Sequence, residues 1–159
     1  MRILGIDPGT GIMGFGVIEA SKDGKAVLVD GGVIRTPVKE DDAERLQIIF
    51  EELTDIIATT KPTEMSIEKL FFAQNVTTAM TVAQARGVAI VAGKQAGLAI
   101  AEYTPLQIKQ ALTGYGRAEK KQMQEMVRVI LGLSEVPQPD DCADALATAI
   151  CHAQSLRFS

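Results

Sequence analysis

Three strand-like runs open the chain one after another, and that order restricts the fold more than any other feature. Residues 2–7, 13–20 and 26–36 are apolar or alternate apolar with polar, and Gly-rich or Asp-Gly turns separate them. Period-two patterning joined by such turns predicts consecutive antiparallel strands. The pattern then changes. Asp41-Asp42 supplies a helix cap, and Leu46, Ile49, Phe50, Leu53, Ile56 and Ile57 recur at helical spacing until Lys61-Pro62. Residues 63–68 return to strand, 69–75 read as loop, 76–96 as helix and 98–103 as a fifth strand. Thr104-Pro105 caps and opens a short helix, 114–117 is a loop, and 118–131 and 140–157 are helices parted by Pro137 and Pro139. Hairpin strands followed by helix-linked strands predict an α/β chain. Its five-stranded mixed sheet carries helices on both faces, in a single domain spanning 1–159.

The helix at 76–96 is crowded with Ala and Gly and apolar nearly all round. Such a helix is expected to be buried on two sides, one against the sheet and one against a partner subunit. No run reaches the roughly 20 apolar residues of a membrane span. Met-Arg followed at once by a strand carries no secretory signal pattern. Cys142 and Cys151 share one helical segment, with neither metal-site spacing nor disulfide geometry, as small buried residues of a reducing cytoplasm would. Net charge is -4, but its distribution is uneven: -6 over 1–68, +5 over 69–128 and -3 over 129–159. A basic middle between acidic ends reads either as a footprint for a polyanion or as a solvated helical surface.

Acidic residues end two of the apolar strands. Asp7 closes the first and Glu68 the fourth, and a helical crossover can set those strands side by side. Asp141 and Asp144 open the last helix and point to nearly one side, opposite Leu146 and Ile150; Asp140 and Asp144 share a face nearly as well. Singly, each has a bland reading: turn amides for Asp7, a salt bridge for Glu68, a helix cap for Asp140 and Asp141. Together they place like charges where only a bound cation keeps them ionised. All-oxygen donors suit Mg²⁺ or Mn²⁺, and two such ions roughly 4 Å apart can activate water at a phosphodiester. No Ser-His or Cys-His pair competes, since His152 is the only histidine and reads as structural. Residues 7–14 also fit the D-x-G-T-x-x-x-G phosphate loop of actin-type and sugar-kinase-type ATPases. That fold duplicates the unit and needs a second Gly-rich loop, which this chain lacks.

The segments GIDPGTGIMGFGVI, SIEKLFFAQN and PQPDDCADALATAICH, with QARGVAIVA and GRAEKKQM between them, resemble the motifs of the RuvC family of bacterial Holliday junction resolvases. They occur in the family's order across essentially the whole chain. The resemblance implies a ribonuclease H-like fold and a cytoplasmic homodimer. It also implies paired, symmetric nicks in a four-way DNA junction during recombination and repair. Mg²⁺ would be the cofactor, two ions per site, with Mn²⁺ substituting, and the RuvA–RuvB branch-migration complex a partner. By motif, Asp7, Glu68, Asp141 and Asp144 are the catalytic metal ligands, and Asp140 falls on a variable position. Some relatives carry His at the place of Asp141. Phe71 matches an aromatic that stacks on an unpaired base, with neighbouring Phe72 the other candidate; such stacking is worth roughly 1–3 kcal/mol. Lys109 and Lys120 match essential basic positions, and Arg86, Arg117 and Lys121 are further phosphate contacts. A related RNA-processing nuclease shares the opening motif, but FFAQN and the paired final aspartates speak against it. A non-catalytic junction-binding module would have no use for four acids.

Overall fold

The opening runs pair as their short turns require. In the computed structural model, which describes residues 1–69 and 76–157, the strands are β1 (Arg2–Asp7), β2 (Ile12–Ala20), β3 (Ala26–Arg35), β4 (Glu64–Glu68) and β5 (Ala99–Tyr103). The helices are α1 (Asp42–Thr60), α2 (Val76–Gln95), α3 (Pro105–Thr113), α4 (Lys120–Ile130) and α5 (Asp140–Arg157). The sheet runs β3-β2-β1-β4-β5. Its first three strands are antiparallel, while β1 pairs with β4, and β4 with β5, in parallel. Asp41 caps α1 by accepting from the Glu44 amide at 2.8 Å, and Thr104 forms a capping box with Gln107 ahead of Pro105. The expected loop at 69–75 lies, from 70 onward, outside the described residues.

Strand alternation feeds two cores. Leu4 and Ile6 face α1 and α2, meeting Ile49, Leu53, Ile57, Ala85 and Ala89. Ile3 and Ile18 face the other way, toward Ile108, Val127, Leu146 and Ile150 of α3, α4 and α5. Helix α2 buries Ala79, Ala85, Ala89, Ala92 and Gly93, whereas Val76, Met80 and Val91 on its other side are exposed. Among the described residues of one chain, then, only one of its two apolar sides is covered. His152 is buried at 4% exposure, with Tyr103 Oη 2.8 Å from Nδ1 and Glu64 Oε2 3.0 Å from Nε2. An imidazole carrying its proton on Nε2 satisfies both neighbours. The structural reading of this histidine holds.

Close approach of α5 to the sheet is what positions the acids. A Cβ on Gly5 would lie 2.0 Å from the Ala145 carbonyl oxygen, and one on Gly14 would lie 2.0 Å from that of Asp141. Both obstacles are backbone, so neither can swing aside. Gly14→Ala must therefore lift the first turn of α5. The expected loss is about 1–3 kcal/mol, read as a lower urea midpoint with an unchanged slope.

Candidate active site

Parallel neighbours end at the same edge of a sheet. Because Ile6 pairs with Ile67, the next residues, Asp7 and Glu68, leave that edge side by side. Asp7 is also paired with Gly14 across β2, and Gly14 is where the first turn of α5 rests. Asp141 and Asp144 thus reach the same edge from above. Four carboxylates from three segments converge, as their strand-end and helix-start positions predict.

The crowding has electrostatic consequences. Asp7 is pushed from 3.8 up to about 8. Burial is the largest cause, followed by the charges of Asp144, Glu68 and Asp141, and its carboxyl shares a hydrogen bond with Asp141. Glu68 is raised by burial and then by Asp144, against the pull of Lys109. Burial raises Asp144 too; Lys120 opposes the rise, and Asp141 and Asp140 add to it. Glu68 borders two open hollows. One, of about 280 Å³, is also lined by Lys109, Lys120, Met123 and Asp144. The other, of about 250 Å³, is lined by Asp7, Lys69 and Arg86 among others.

The basic residues divide. Lys120 Nζ lies 3.1 Å from Asp140 and 4.0 Å from Asp144, so Asp140, set aside on motif grounds, is the closer partner of this lysine. Gln124 Nε2 donates to the other Asp140 oxygen at 3.1 Å. Lys109 lines the hollow beside Glu68. Arg117 and Lys121 are exposed and line neither hollow. Arg86 turns inward: its Nε donates to the Glu68 main-chain oxygen at 3.3 Å, and its guanidinium pairs with Glu102. Phe71 and Phe72 lie outside the described residues. Sequence reasoning passed over Glu102, although it is the only acid between 69 and 118 and interrupts the apolar run LAIAEY.

The donors suit a hard divalent cation: all are carboxylate oxygens, and an Asp7 held near 8 is relieved by positive charge beside it. Among the described residues, no three acidic, histidine or cysteine side chains are gathered closely enough to enclose an ion. Glu68 and Asp144 line the first hollow, and Asp7 and Glu68 the second.

A folded-state value above the unfolded one means that the native protein binds the extra proton between about pH 4 and 8. Ionisation of Asp7 then works against folding, so stability in metal chelator should fall as pH rises through that window. Asp7→Asn should flatten the dependence. Thermal melts from pH 4 to 8 in chelator check both.

Comparison with known proteins identifies the family. The family model for crossover junction endodeoxyribonuclease RuvC matches residues 3–152. The crossover junction endodeoxyribonuclease RuvC of Heliobacterium modesticaldum is 58% identical over 99% of this chain and 97% of its own length. The structure of T. thermophilus RuvC in complex with a Holliday junction substrate is 36% identical, with a TM-score of 0.92, and covers 100% of this chain and 97% of that one. The yeast mitochondrial resolvase Ydc2, 15% identical with a TM-score of 0.70 over 96% of this chain and 77% of its own, shares the fold. The fold is ribonuclease H-like, and the chain belongs to the RuvC family of crossover junction endodeoxyribonucleases, metal-dependent nucleases that resolve Holliday junctions in recombination and repair.

Proposed function

We propose that Asp7, Glu68, Asp141 and Asp144 hold two Mg²⁺ ions, with Mn²⁺ able to substitute, and that the whole chain acts as one nuclease domain within a homodimer. The observation that carries this reading is the convergence of half-buried carboxylates from β1, β4 and α5 on one sheet edge, beside Lys109 and Lys120. When bound, the ions would supply Lewis-acid activation of water and neutralise charge at the phosphodiester. Lys109 and Lys120 then hold phosphate oxygens over the hollow and offset the charge that develops during attack. Lys120 reaches phosphate by leaving Asp140, an exchange made easy by the solvent exposure of both side chains. Phe71 stacks on a base unpaired at the crossover, while Arg117 and Lys121 add sequence-neutral phosphate contacts.

The exposed side of α2 supports a dimer. Val76, Met80 and Val91 project from it, and Val91 also borders a hollow lined by Leu46, Phe50, Gly87 and Val88 among others. Apolar surface of this kind suits an isologous contact with a second copy. A two-fold dimer presents two sites to two equivalent strands of an opened junction. Among the described residues no helix is long and apolar enough to cross a membrane; we place the enzyme in the bacterial cytoplasm, working with RuvA–RuvB.

A synthetic mobile four-way junction, incubated with and without Mg²⁺, tests the reading. Mapped nicks should fall symmetrically in two opposed strands, leaving 5′-phosphate and 3′-hydroxyl ends, and only with metal. Asp7→Asn should bind the junction and not cut it; cleavage by the purified variant would remove the assignment. Met80→Glu should convert the dimer to a monomer in sedimentation and turn paired nicks into slow single ones.

A further inference from the structure

Arg86 sits in the basic middle of the chain, where a phosphate contact is the obvious role. Its surroundings fit another. The side chain is only 18% exposed, against 58% for Lys120. Its terminal nitrogen pairs with Glu102 of β5, and its Nε donates to the main-chain oxygen of Glu68, the last residue of β4. The following amide, of Lys69, donates to the Tyr103 oxygen at 2.8 Å. Both polar groups of the peptide that follows Glu68 are therefore held, the oxygen by α2 and the amide by β5. Five residues earlier on α2, the Thr81 oxygen accepts from the Thr10 hydroxyl at 2.9 Å, which ties the same helix to the turn after Asp7. The groups acting on the Glu68 carboxylate are its burial, Asp144 and Lys109. Arg86 acts on the backbone from which that carboxylate leaves.

We infer that Arg86 and Glu102 form a positioning pair that fixes Glu68 at the sheet edge, and that Arg86 is not a phosphate contact. The inference rests on the reading of Glu68 as a metal ligand. A guanidinium suits the task because its fixed fork satisfies a carboxylate and a carbonyl at once, which an ammonium on a flexible stem does not do in the same geometry. Partners of metal ligands that act from behind in this way typically contribute about 10–100-fold to activity or metal affinity. The pair also accounts for Glu102, one of three acids in the basic stretch 69–128, as the residue that holds Arg86.

Full-length Arg86→Gln, Glu102→Gln and the double variant separate the two roles, with Glu68→Gln alongside. Two quantities are read: junction affinity in chelator across a salt series, and single-turnover cleavage at saturating junction across a Mg²⁺ series. Positioning predicts wild-type affinity and salt slope for both single variants. Cleavage falls about 10–100-fold, more Mg²⁺ is needed for half-maximal rate, and the double variant is no worse than either single one. A phosphate contact predicts weaker binding by Arg86→Gln, with a shallower salt slope and full cleavage at saturation, and tighter binding by Glu102→Gln because the arginine is freed. That pattern, or wild-type cleavage by Glu102→Gln, overturns the inference. Glu102→Gln preserves shape, so it carries the test if Arg86→Gln melts early. Cleavage by Glu68→Gln would remove Glu68 from the site, and this inference with it; when Glu68→Gln is inactive, the Arg86 and Glu102 variants decide.

Discussion

Carboxylates that repel one another are held together at one edge of the sheet, and the rest of the architecture serves that conflict. The parallel pairing of β1 with β4 sets Asp7 beside Glu68. Gly14 lets the first turn of α5 settle onto the strand partner of Asp7. Each contact that improves this convergence also strips water from the acids, and burial is the leading cause of every raised carboxyl there. Part of the hydrophobic gain from packing α5 on the sheet is thereby offset locally. Sites that trade folding energy for a poised charge behave in this way.

Lys109 and Lys120 temper the repulsion without removing it. Lys120 leans mainly on Asp140, which stands outside the proposed ligand set, and lies farther from Asp144. Such an arrangement keeps a cation near the acids while leaving their oxygens available. Helix α2 serves in two directions. One side packs Ala and Gly against the sheet and fastens the ends of β1 and β4 through Thr81 and Arg86. The other side presents Val76, Met80 and Val91 outward. Pairing of two copies through this helix would brace the elements that hold the acids.

Most of the fold is legible in the sequence, because period-two and helical periodicities seldom overlap here and the turns carry Gly, Asp and Pro. Every strand and helix falls within a residue or two of its expected span. Asp7 and Glu68 are legible for a physical reason: an acid at the end of an apolar strand needs an account. The acids of α5 are less so. At 100° per residue Asp140 and Asp141 are nearly equivalent beside Asp144, and only motif resemblance chooses between them. The structure adds what spacing could not, the Lys120 and Gln124 contacts of Asp140. The motif marks Arg86 as a phosphate contact, and the structure adds its pairing with Glu102; the two lie on different elements, and helical or strand periodicity carries no information about such pairs. The small-residue helix α2 is expected to be buried on two sides, and the described residues of the lone chain cover one of them.

Crystals grown with Mn²⁺ and measured for anomalous scattering would test the central claim most directly. Two-metal binding by these acids predicts anomalous density at the sheet edge in contact with oxygens of Asp7 and Glu68 and of at least one of Asp141 and Asp144, and its loss in Asp7→Asn. Density confined to other surfaces, or a site that keeps its metal without Asp7, would contradict it.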